Sequence, residues 1–218
     1  MSAVLSPAPS TSPAPRRPRG RPRKTLDERD EGNRRQDLLK AAARLFRRKG
    51  FAATTTRDIA SAVGMHAGSP FYHFKSKGAL LHAVMEEGMR AALARQALAL
   101  QADADPAATL RRLIRSHFDT LLGPGRDFIP VMLYEGRSLN SRQRAAIARL
   151  QREYEAAWVP VLAALAIEGK LKADTGIARL LIFGALNWSV QWFDPKKRAS
   201  LDEVTDAAMA LFIQEERA

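Results

Sequence analysis

Ile59, Ala60 and Val63 recur at helical spacing behind Thr55 and Asp58, a pair able to close a helix start. The Thr55 hydroxyl accepts the Asp58 amide, while the carboxylate returns to the first N–H groups and favours the positive end of the helix. The pattern predicts a helix of about two turns over residues 56–63, stopped at Gly64, with Met65 packing back into the crevice. Ser69 and Pro70 make a second start signal, a hydroxyl cap followed by a residue preset for the first helical position. The helix behind it carries Phe71, Tyr72, His73 and Phe74. Ser76 then caps a longer helix beginning at Lys77, whose positive N-terminus and Lys77 side chain together suit a phosphate.

That helix continues to about residue 101 with Leu80, Leu81, Val84, Met85, Met89, Leu93 and Leu98 inward, and Asp105-Pro106 breaks and restarts the pattern. Further helices are predicted over 107–122, around 129–137, over 141–167 with Gly169 as its end, and over 175–192 and 201–216; Gly123-Pro124-Gly125 reads as a loop. No segment alternates like a strand and no repeat of solenoid length is present. The expected fold is all-α, a three-helix helix-turn-helix head followed by a larger bundle, about nine helices in all. Residues 177–193 are apolar nearly all round, which calls for burial on more than one side.

Charge separates the head from the rest. Of the 218 residues, with a net charge of +12, residues 34–81 hold Arg34, Arg35, Lys40, Arg44, Arg47, Arg48, Lys49, Arg57, Lys75 and Lys77 against only Asp37 and Asp58, whereas residues 82–218 are nearly balanced. A local basic excess is an electrostatic footprint for a polyanion, although Lys75 and Lys77 on short amphipathic helices could also be plain solvated charges. Residues 1–25 contain six of the twelve prolines and six basic residues with no acidic one, so a disordered basic tail is expected over 1–33. Domain boundaries follow: head 34–81 and a larger second domain 82–218, to which the resemblance given below assigns ligand binding and dimerisation. The absence of cysteine excludes disulfides and thiolate zinc sites. With no long apolar run and no secretory pattern, a cytoplasmic protein is expected, without membrane partners.

Gly50-Phe51-x-x-Thr54-Thr55, the Ile59-Ala60 pair, the Gly64 turn and the closing His73-Phe74-Lys75-Ser76-Lys77-x-x-Leu80-Leu81 together closely resemble the N-terminal domain of TetR-type transcriptional regulators. The resemblance covers residues 34–82 in detail. It implies a supporting helix over 35–49 with Leu38, Leu39, Ala42, Leu45 and Phe46 inward and Gly50 at its end, then a second helix over 56–63 and a recognition helix over about 67–74. It places contacts to double-stranded DNA on Thr55, Thr56, Arg57, Ser69, Tyr72, His73 and Lys77. Phe71 stands where the family usually has tyrosine, so a phosphate contact through that hydroxyl is lost or passes to Tyr72. Pro70 also departs from the family, whose helix starts a turn earlier. Pro18-Arg19-Gly20-Arg21-Pro22 resembles an AT-hook, with Arg19 and Arg21 suited to a narrow A-T minor groove; a generic basic tail is the other reading.

In this family the last two helices typically pair with their copies in a homodimer, which sets two heads on successive major grooves and implies a pseudo-palindromic operator. His117, Phe118, Met132, Tyr134, Arg137, Trp158, Asn187 and Trp188 are the candidate effector residues, a mostly apolar set with a few orienting groups. The same aromatics at helical spacing also suit plain core. Asn187-Trp188-x-x-x-Trp192-Phe193-x-Pro195 looks like an element of the subgroup that controls lipid and acyl-CoA breakdown, so the implied effector is a small apolar molecule, first an acyl-CoA or related lipid acid. The expected function is repression released by that effector; the alternative is a ligand-independent architectural DNA-binding dimer. No catalytic or metal-ligand spacing is present among the four histidines, no phosphate-binding glycine loop occurs, and neither enzyme activity nor a cofactor is expected.

Overall fold

The computed structural model describes residues 26–214 apart from 67–69, 102–104, 124–126, 172, 195 and 198. Arg19, Arg21 and Ser69 therefore lie outside the described residues, as does most of the expected 123–125 loop. The described chain is helical: α1 (Leu26–Ala53), α2 (Thr56–Ala62), α3 (Pro70–His73), α4 (Lys77–Leu100), α5 (Pro106–Leu122), α6 (Phe128–Glu135), α7 (Ser141–Ala156), α8 (Val159–Ile167), α9 (Thr175–Trp192) and α10 (Leu201–Phe212). A single 3-10 turn, Gly136–Ser138, follows α6. Among the described residues no helix is long and apolar enough to cross a membrane.

Local signals account for most boundaries. Thr55 and Asp58 form the expected reciprocal cap of α2, Ser76 accepts the Ala79 amide at the start of α4, and Asp105 caps α5 ahead of Pro106. Three expectations need correction. α1 starts at Leu26, so the backbone of residues 26–33, expected in the tail, is helical and continues the head's first helix. The helix expected over 141–167 is two helices, α7 and α8, because Pro160 has no amide to donate and its ring would meet the Ala156 carbonyl; this makes ten α-helices among the described residues rather than nine. Leu98, expected inward, is 66% exposed near the end of α4.

Two apolar clusters organise the molecule. The head cluster joins Leu38, Leu39, Ala42 and Phe46 of α1 to Ile59, Phe74, Leu80, Leu81, Val84 and Met85, and is closed by Val131, Leu139 and Ile147. The second cluster gathers Met89, Leu110, Leu113, Ile114, Phe118, Trp158, Leu162, Leu165, Ile182 and Leu186. α4 and α6 belong to both, since Val84 and Val131 lie in the first while Met89 and Ile129 lie in the second. Gly88 makes this possible: a Cβ there would lie 2.7 Å from the Phe128 Cβ, so only glycine lets α6 rest on α4 so closely.

Candidate functional site

Several of the residues expected at DNA reach the surface of the head. Arg57 and Tyr72 are exposed, Tyr72 at 82%, and Thr56 and His73 are half-buried, with the Tyr72 and His73 rings edge to face at 5.6 Å. α3 holds Phe71 in helical conformation. The Thr55 hydroxyl accepts the Asp58 amide at 3.0 Å and the Thr55 amide donates to the carboxylate at 2.9 Å. These bonds, the backbone one foremost, hold the Asp58 carboxyl below its usual range.

Lys77, expected at a phosphate, is held by the chain itself. Its ammonium donates to the carbonyls of Phe51 at 2.8 Å, Thr54 at 2.9 Å and Ala52 at 3.4 Å, and lies 4.4 Å from the Phe51 ring centre. The cause is Gly50, whose φ of 80° turns the chain near the end of α1 and leaves carbonyls there without intrahelical donors. With its N–H groups so engaged, Lys77 fastens the start of α4 to the end of α1 and the turn after it. Thr54, fully buried, completes the same corner by donating to the Gly50 carbonyl at 2.8 Å.

A second site lies between α4, α5, α6, α7 and α9, where a cavity of about 50 Å³ is lined by Met89, Ala92, His117, Thr120, Ile129, Met132, Leu133, Gln151, Tyr154, Glu155, Phe183 and Asn187. His117 is buried between Tyr154, whose hydroxyl is 3.0 Å from Nδ1, and Asn187, whose Oδ1 is 3.2 Å from Nε2. Burial lowers the imidazole pKa from 6.5 to about 4, against a smaller opposing effect of the Asn187 bond, and burial also raises the Tyr154 phenol. His117 is therefore neutral near pH 7. Glu155 is ion-paired with Arg179.

Of the expected effector residues, His117, Met132 and Asn187 line this cavity. Trp158 and Phe118 sit in the core beside it, the Trp158 ring tilted 56° to that of Phe183 at 4.8 Å. Tyr134, Arg137 and Trp188 are displaced from it: all three are exposed, and Trp188 points outward on α9 at 64% exposure. Gln151, Tyr154 and Phe183 were missed by sequence reasoning. The spacing of Ile147, Gln151, Tyr154 and Trp158 along one helical face was the available signal.

α6 ties the two sites together. Asp127, just before it, pairs with Arg47 of α1 at 2.8 Å, and Glu135 at its end accepts the Phe51 amide at 2.9 Å. Between those two grips, Ile129, Met132 and Leu133 line the cavity.

Comparison with known proteins matches residues 38–84 to the family model described as bacterial regulatory proteins, tetR family, and residues 103–215 to tetracyclin repressor-like, C-terminal domain. The HTH-type transcriptional repressor KstR2 of Rhodococcus jostii is 26% identical over 192 residues, 86% of this chain and 93% of that protein. The crystal structure of superantigen PfiT is 36% identical, covering 84% of this chain and 97% of that one at a TM-score of 0.71. The crystal structure of AibR in complex with isovaleryl coenzyme A and operator DNA, 23% identical, shares the fold at a TM-score of 0.76 over 82% of this chain and 97% of that one.

Proposed function

The chain belongs to the tetR family of DNA-binding transcriptional regulators, and from that premise we propose a homodimeric repressor that leaves a pseudo-palindromic operator when a small apolar effector enters the His117 cavity. The observation that carries this reading is the double membership of α6. A cavity of about 50 Å³ is far below the ~300–1,000 Å³ of ordinary ligand sites, so an effector must widen it, and one helix that must yield is gripped at both ends by α1 of the head. An effector that prefers the widened form shifts the population toward it and away from the DNA-bound form.

An acyl-CoA is the first effector proposed. A lining of methionine, isoleucine, leucine and phenylalanine with one polar cluster suits an acyl chain, and AibR, of the same fold, is seen with isovaleryl coenzyme A. Homodimerisation through the last two helices is supported by α9, which exposes Ile177, Leu180, Leu181, Trp188 and Trp192 along one outward face, with Leu211 exposed on α10. Tyr72, Arg57, Thr56 and His73 are proposed as the DNA-facing groups. Thermal unfolding tests the effector reading: octanoyl-CoA or another acyl-CoA of a chain-length series should raise the melting temperature with increasing concentration. Unfolding unmoved by every acyl-CoA, fatty acid and steroid tried would leave a dimer that binds DNA without an effector.

A further inference from the structure

Resting on the effector reading, we propose that the cavity selects an uncharged hydrogen-bond acceptor, the carbonyl of a thioester, amide or ketone, and that Asn187 is the residue that reads it. The direction of the buried relay fixes what Asn187 offers. Among the described residues the buried Tyr154 hydroxyl has one hydrogen-bond partner, His117 Nδ1, and its proton finds an acceptor within the protein when the phenol donates and Nδ1 accepts. The proton of the neutral ring then sits on Nε2, which donates to Asn187 Oδ1. That bond turns the amide so that its Nδ2 group, a donor of two hydrogens, is left for the cavity it lines.

The rest of the lining excludes charge. Among the described residues no lysine or arginine lines the cavity. Arg179 is paired with Glu155, and Arg95, whose charge reaches Tyr154, stands on the exposed side of α4. A carboxylate placed here would lose its hydration and face Glu155, with only the solvent-screened charge of the exposed Arg95 to offset that loss. A cationic head would meet the Asn187 donors and a carboxylate already engaged by Arg179. A neutral carbonyl loses only the bonds that Asn187, with the half-buried Gln151 amide beside it, can replace.

Calorimetric titration of the full chain with octanamide, octanoate, octylamine and octanoyl-CoA tests this. Octanamide isolates the head group, and octanoyl-CoA asks whether the thioester is its natural source. Octanamide should bind, and octanoate and octylamine at least about tenfold more weakly; Asn187→Leu should weaken octanamide about tenfold while leaving octanoate unchanged. Melting of the unliganded variant checks its fold, and Asn187→Ala gives the same readout should leucine disturb the packing. Equal binding of octanamide and octanoate, or octanamide binding untouched by both variants, would overturn the assignment while leaving an effector site in place. No binding by any of the four would overturn the effector reading together with it. Tight octanamide with absent octanoyl-CoA binding would keep the carbonyl assignment and exclude the thioester as its source.

Discussion

Lys77 and His117 both read from the sequence as ligand-facing polar residues, and in the structure both bond groups of the chain itself. Lys77 reads as a phosphate ligand because a lysine after a serine cap suits an anion; within the chain its partners are carbonyls at the turn that Gly50 makes, a helix end the sequence shows without showing what bonds it. Lys77→Met should therefore lower stability by about 1–3 kcal/mol in denaturant unfolding, with the salt dependence of DNA binding by the folded variant unchanged. A shallower salt slope with unaltered stability would return Lys77 to the phosphate. For His117 the depressed pKa sets a pH window. Between 6.5 and about 4 the unfolded chain takes up a proton that the folded protein refuses, so stability falls as pH drops through that range, by up to about 3 kcal/mol. His117→Gln should flatten that part of the stability curve; an unchanged slope would show that other groups cause it.

Elements were legible wherever caps and periodicity agree. The Thr55–Asp58 cap, the Ser76 cap and the Asp105-Pro106 start were all readable, and the structure forms each of them. The split of α7 from α8 was also readable at Pro160, but an unbroken apolar pattern outweighed it. What no periodicity carries is the long-range hold on α6, because Arg47–Asp127 and Phe51–Glu135 join residues far apart in the chain. If α6 transmits cavity widening to the head, Asp127→Ala combined with Glu135→Ala should reduce the effector's effect on DNA affinity from the usual ~5–150-fold of coupled sites to a few fold, with both ligands still bound. Fluorescence anisotropy on labelled operator with and without effector measures it. Full coupling in the double variant would move transmission to α4 or α7, which also reach both clusters.

At the scale of the whole molecule, the sequence foresaw a helix apolar on more faces than one chain needs, and the structure leaves that surplus on the outside of α9. Leu181→Glu should turn a dimer into a monomer in sedimentation and weaken binding to a two-half-site operator far more than to a single half-site, since two heads must meet grooves about 34 Å apart. A variant that remained dimeric would move the interface elsewhere. The cavity itself was only partly foreseen, because residues were grouped by chain neighbourhood: His117 and Asn187 were named, while Tyr154, which orders them, was not. The central claim is that cavity and DNA compete for one conformational equilibrium. Its most direct test is a calorimetric titration of the dimer with acyl-CoA, free and operator-bound. Operator must weaken acyl-CoA binding by the same factor by which acyl-CoA weakens operator binding; acyl-CoA binding equally well to free and DNA-bound protein would contradict the account.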